Sequence, residues 1–270
     1  MTLLETLTSI GVVVLSLHCV GAVTIVGRHR LRAWRPRLRS NLERSWRIAV
    51  ALVVVLALNK VVRDVGVELS WLIGAKITGT IYALEGGLVA TIQSFATPPL
   101  TTYFGFMYVY GYTFLLTFPL LAYGLHRDWR QLRVLLVAYA LNYAVGLVFY
   151  VAFVAYGPRN FMPEQVQSLL YVQWPDVQLV TSRVNRNTNV FPSLHASLSA
   201  TVALVAYRFR ESYPAWTPIA TAFAASIALA TMYLGIHWFT DVVVGIALAV
   251  ASVAVGTRFV PLVDDASSVR

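Results

Sequence analysis

The chain has 270 residues, 58% of them hydrophobic and only 12% charged, with a mean hydropathy of +0.67. These values exclude an ordinary soluble domain and indicate a polytopic membrane protein with room for about six to eight helices at roughly 20 residues per span. The net charge of +9 does not point to nucleic acid, because Lys and Arg cluster in short loops beside apolar runs and not on one basic face.

The first apolar run, "SIGVVVLSLHCVGAVTIV" (9–26), has Glu5 before it and "RHRLRAWRPRLRSNLERSWR" after it. A cleaved signal peptide carries its positive charge in front, so this run is expected to be a retained span with its N-terminus outside. Its single cysteine, Cys19, rules out an intrachain disulfide and is expected to pack. Further runs lie near 48–63, 100–125, 134–156, 190–207, 217–236 and 241–257, about seven spans in all. The segment 64–98 mixes apolar residues with Glu68, Lys76, Glu85 and several glycines, and is expected to form interfacial or re-entrant helices.

Seven spans starting outside put four segments in the cytoplasm: 27–47 with eight arginines, 126–133 with three, 208–216 with two and the C-terminal tail with two. Fifteen of the 21 basic residues therefore fall inside, as the positive-inside rule requires. The other six, Lys60, Arg63, Lys76, Arg159, Arg183 and Arg186, are unusual for the outer side.

On that outer side three segments converge: "AYGPRNF" (155–161), "VTSRVNRNTNVFPSLH" (180–195) and "TMYLGIHWFTD" (231–241). Pro192 suits the first turn of a helix, which places Ser193 and His195 in its opening turn, where free N–H groups and the helix dipole favour an anion. Arg159, Arg183 and Arg186 can complete a phosphate clamp. His237 and Asp241 are four apart, so on a helical turn the carboxylate can accept the imidazole N–H and leave the other nitrogen as a nucleophile. His195 then stands opposite as general acid. The rival reading makes His195, His237 and Asp241 metal ligands, but three nearby arginines would repel a cation. No cofactor is expected.

The remaining candidates have ordinary explanations. His18 is expected to pack or snorkel, and His29 and His126 to be solvated. Lys60 and Arg63 either snorkel at the end of the second span or touch substrate. The aromatic run "TYFGFMYVYGYTF" (102–114) is expected to line a lipid groove or an interface belt.

At these residues the chain resembles the type-2 phosphatidic acid phosphatase superfamily. "PSLH" (192–195) matches its Pro-Ser-Gly-His motif with Leu194 for glycine, and "HWFTD" (237–241) the end of its Ser-Arg-x5-His-x3-Asp motif. The resemblance covers about residues 100–257. It implies a six-helix phosphatase-like core plus an extra N-terminal span, with His237 as phosphohistidine nucleophile, Asp241 as its orienting partner and His195 as acid on the leaving group. Two departures stand out: the third-motif serine and arginine fall on Ala230 and Thr231, and the first motif is reduced to "GPR" (157–159) without its lysine. The form "TMY…H…D" after "FPSLH" is more similar to the inositol phosphorylceramide synthase branch, which moves a phosphorylated head group between lipids.

The expected protein is therefore a single all-α integral membrane domain. Residues 1–98 hold N-terminal spans and interfacial helices, 99–257 the catalytic core and 258–270 a cytoplasmic tail. It lies in the cell membrane with its active site outside, and it cleaves a lipid phosphoester or transfers it to an alcohol. A polar outer segment, 157–189, with Asn160, Gln165, Gln167, Asn185 and Asn187, could cover the site and hold a polyol. A transporter of a lipid-linked phosphate could use the same basic cleft, but a carrier needs no oriented nucleophile.

Overall fold

Residues 2–178 and 190–267 are described in the computed structural model. The first apolar run becomes α1 (Leu3–Gly21), extended by a π-helical turn, Ala22–Val26. It opens on a reciprocal cap in which Thr2 Oγ1 accepts the Glu5 N–H and Glu5 returns a carboxylate to the Thr2 N–H. A short α2 (Arg28–Arg32) leads into α3 (Trp34–Ile73). The basic segment expected as a loop is therefore mostly helix: nothing between 34 and 47 stops a helix, since Pro36 falls in its first turn.

After α3 the chain makes the two-residue strand β1 (Ala75–Lys76) and two helices too short to cross a bilayer, α4 (Thr78–Glu85) and α5 (Leu88–Gln93). The third span is α6 (Pro98–Phe106) and α7 (Tyr112–Gly124), joined by a π turn, Met107–Gly111. Next come α8 (Arg130–Ala152), β2 (Phe153–Val154), and the short α9 (Pro158–Phe161) and α10 (Leu169–Gln173). The last three helices are α11 (Leu194–Arg208), α12 (Trp216–Tyr233) and α13 (Phe239–Ser267).

Among the described residues six helical stretches are long and apolar enough to cross a membrane: Leu3–Val26, Trp34–Val62, Pro98–Gly124, Arg130–Ala152, Trp216–Tyr233 and Phe239–Val260. The protein is an all-α, multi-pass membrane bundle. The run at 190–207 yields α11, of only 15 residues, whose start is taken up by the polar site described below and whose far end leads to Ser212 at the opposite end of the bundle. It is nonetheless the centre of the bundle, packed against α8, α12 and α13. Asn142, Ser197 and Thr201, all fully buried, join α8 to α11: Asn142 Nδ2 donates to Thr201 Oγ1 at 3.0 Å and its Oδ1 accepts from Ser197 Oγ. In hydrocarbon such groups must be satisfied internally. Leu15, Val53, Leu72 and Val148 are exposed, which fits a lipid-facing surface.

The bundle has two polar ends. At one, Asn41 Nδ2 donates to the Gly124 and His126 carbonyls, Gln131 Nε2 to Ser212 Oγ, and Arg30 Nη1 to the Ser212 carbonyl. His126 is thus no solvated loop residue. It is half-buried, its Nδ1 accepts the Asp128 N–H at 3.0 Å, and burial lowers its pKa. Cys19 also departs from expectation: it is exposed on α1. At the other end β1 pairs in parallel with β2, so α3 and α8 run the same way and finish together.

Candidate active site

The second polar end gathers the expected catalytic residues. Ser193 caps α11: its Oγ accepts the Ala196 N–H, and its own N–H donates to the Asp241 carbonyl at 3.0 Å. Pro192 therefore precedes the cap and is not in the first turn, because the serine oxygen takes the capping place. Ser193 is fully buried, its oxygen engaged in the cap. His195 lies in the first turn of α11. Its ring sits against Tyr108 (centroids 4.5 Å apart, 20° between planes) and Tyr112 (4.3 Å, 38°). Part of the aromatic run, expected only to line a lipid groove or an interface belt, thus holds a histidine.

α12 ends in a tight turn through Gly235, whose φ of +71° favours glycine. The Thr231 carbonyl accepts both the Ile236 and the His237 N–H at 3.0 Å, which pins His237 beneath the end of α12. Asp241 sits in the opening turn of α13. His237 Nδ1 is 3.3 Å from Asp241 Oδ2, and the same oxygen accepts the Trp238 N–H at 2.9 Å. Asp241 is fully buried, and its Oδ1 has no hydrogen-bond partner among the described residues. The His195 and His237 rings are 6.3 Å apart.

Arg159 arrives from α9. Its N–H donates to the Gly235 carbonyl at 3.0 Å, and Gly157 lets the two turns touch, since a Cβ there would overlap the Ile236 carbonyl oxygen. Arg159 lies over Tyr171 (4.7 Å to the ring centroid), and Nη2 donates to the Tyr171 hydroxyl at 3.3 Å. Its Nη1 is buried and without a partner among the described residues. A buried guanidinium N–H left open is suited to an anion.

Two supports escaped the sequence reading. Glu85 of α4 accepts the Phe239 and Thr240 N–H groups at 2.9 and 2.5 Å, which places a carboxylate on the start of α13. Gln93 clamps the outer segment: Nε2 donates to the Gln167 and Tyr233 carbonyls, and Oε1 accepts the Gln167 N–H. Both residues lie in the segment read only as interfacial.

Other candidates are not brought in. Thr231, at the place of the missing arginine, is fully buried and its hydroxyl donates back to the Ala228 carbonyl at 2.7 Å. Lys60 is exposed on α3. Arg183 and Arg186, with Asn185 and Asn187, lie outside the described residues, as does the side chain of Arg63. Among the described residues no three His, Cys, Asp or Glu side chains are grouped to hold a metal ion. Asp241 Oδ2 is already engaged by His237 and Trp238.

Burial lowers the pKa of His237 from 6.5 to about 3, against a hydrogen bond to the Val190 backbone that raises it and with the charge of Arg159 adding to the fall. The ring is neutral at physiological pH, the state a nucleophile needs. Between about 3 and 6.5 the unfolded chain binds the proton that the folded one refuses, so this contribution to stability is present above about 6.5 and lost as pH falls. Thermal unfolding should therefore move to lower temperature from pH 6.5 to 4.5, and His237→Gln should flatten that dependence. An unchanged slope in the variant would remove His237 as its source.

A family model described as the PAP2 superfamily matches residues 83–255. No curated protein and no solved structure matches the chain. The matched segment runs from α4 into α13 and contains His195, His237, Asp241 and Arg159. The chain belongs to the PAP2 superfamily, and so to the phosphatase and phosphotransferase type of membrane enzyme that acts on lipid phosphoesters.

Proposed function

We propose that the protein cleaves a lipid phosphoester through a phosphohistidine on His237, without a metal. The observation that carries this reading is the buried His237–Asp241 pair opposite His195, with an open Arg159 N–H beside it. Asp241 holds the proton on Nδ1, and Nε2 attacks phosphorus. As the N–P bond forms, the ester P–O bond breaks and protonated His195 gives its proton to the leaving alkoxide. His195, now neutral, takes a proton from the incoming hydroxyl, which attacks phosphorus and releases His237. Arg159 binds the non-bridging oxygens, and Ser193 holds the end of α11 against them. If Arg183 and Arg186 close over the phosphate, they supply the charge that Thr231 lacks.

Water is the acceptor in this reading. The second reading, supported by the likeness of "FPSLH" and "TMY…H…D" to the inositol phosphorylceramide synthase branch, makes it an alcohol such as a polyol. The first half-reaction is common to both. The excess of Lys and Arg at the opposite end favours an outward-facing site with the C-terminus in the cytoplasm.

The test is competition. Purified protein is given labelled lipid phosphate in EDTA with rising inositol or glycerol, and free phosphate is scored against phosphorylated alcohol. Hydrolysis should dominate and survive the chelator. Capture of most of the label by a millimolar alcohol against about 55 M water would replace the hydrolase reading with transfer. Loss of all turnover in EDTA, restored by zinc, would favour the metal site instead.

A further inference from the structure

A groove of about 890 Å³ lies between α3, α8 and α13, at the end of the bundle away from His195 and His237. Arg44 and Arg47 of α3 and Arg133 of α8 line one end of it, with Trp46 and Trp129, and no acidic residue is among its described lining. The rest of its wall is apolar, from Ile48 to Val55 on α3 and from Val137 to Ala144 on α8, with Phe259 of α13. We infer that this groove binds an anionic phospholipid, its phosphate among the three arginines and an acyl chain along the apolar wall.

Three observations carry the inference. First, the charges sit at one end only, so the groove has the polarity of a lipid. Arg44 and Arg47 are exposed where a head group would lie, while Arg133 is buried and stacked under Trp129 at 4.7 Å. Second, the length fits one leaflet. Arg44 to Val55 and Arg133 to Ala144 each cover eleven residue steps, about 16 Å at ~1.5 Å per residue, roughly half of a ~30 Å hydrocarbon core. α3 and α8 run parallel, so the two stretches lie side by side in the same sense. Third, Trp46 and Trp129 stand beside the arginines, where tryptophan favours the head-group boundary. Arg133 lies in the first turn of α8 and Arg159 just beyond its end. The two phosphate sites thus belong to opposite leaflets, and this lipid is not the one being cleaved.

The test uses the full chain in mixed micelles, with phosphatidylglycerol and phosphatidylcholine of identical acyl chains as probes. Retained lipid is counted by native mass spectrometry. Wild type should keep one phosphatidylglycerol in preference to phosphatidylcholine. With about fivefold per arginine at an anionic surface, the double variant Arg44→Gln/Arg47→Gln should lose at least about tenfold of that preference. Both positions are exposed, so the variant should fold. Ala140→Trp, on the apolar wall, should displace both lipids. Equal retention of the two lipids by wild type, or a preference that survives both variants, would overturn the proposal. So would a dimer with no bound lipid that Ala140→Trp dissociates, which would give the groove to a second copy of the chain.

Discussion

His237→Ala should lower turnover by at least about a hundredfold and abolish the acid-labile phosphoprotein expected when wild type is given labelled lipid phosphate. The size follows from the role: without the ring no covalent intermediate forms, and water must attack the ester directly. Asp241→Asn should be comparably inactive for a different reason. The asparagine oxygen in the place of Oδ2 can still accept both the Trp238 N–H and the Nδ1–H, but it carries no negative charge to stabilise the positive phosphorylated ring. His195→Ala separates the two histidines. Loss of an acid is felt least when the leaving group needs no proton, so a nitrophenyl phosphate ester should restore much of the rate of nitrophenol release in the first turnover of His195→Ala and none of it in His237→Ala. Activity near wild type in His237→Ala would falsify the covalent mechanism. Activated-ester rescue of His237→Ala instead would exchange the roles of the two rings.

Arg159→Ala should cost a few kcal/mol of transition-state binding, about a hundredfold in kcat/KM, as for other desolvated anion clamps. The guanidinium is held by its stack on Tyr171 and by the Nη2 bond, which leaves the buried Nη1 for the phosphoryl oxygens. Arg159→Lys should recover only part of the loss, because a point charge reproduces neither the stack nor the fork. Tyr171→Phe keeps the ring and removes the hydroxyl, so it should cost about threefold or less, the scale of one weak hydrogen bond. Arg183→Ala/Arg186→Ala gives the other half of the experiment. If that pair and Arg159→Ala are all silent, the phosphate clamp lies elsewhere and Lys60 or Arg63 becomes the candidate.

The sequence by itself determined the all-α membrane class, most of the spans and the pairing of His237 with Asp241. Each depends on local spacing: apolar length decides whether a helix can cross a bilayer, and a four-residue interval on one turn brings a carboxylate to an imidazole. The tertiary structure decided the rest. Only packing brings Arg159 from α9 to the turn at Gly235, because a backbone bond and a missing Cβ on Gly157 set that approach and neither is a local pattern. Only packing seats His195 against Tyr108 and Tyr112 across a π turn, and sends Glu85, more than 150 residues earlier in the chain, to the start of α13. The shortness of α11 has the same origin. Apolar composition favoured a run over 190–207, but the serine cap and the hydrogen bond to Asp241 start the helix at Leu194, because the backbone before it is committed to the floor of the site.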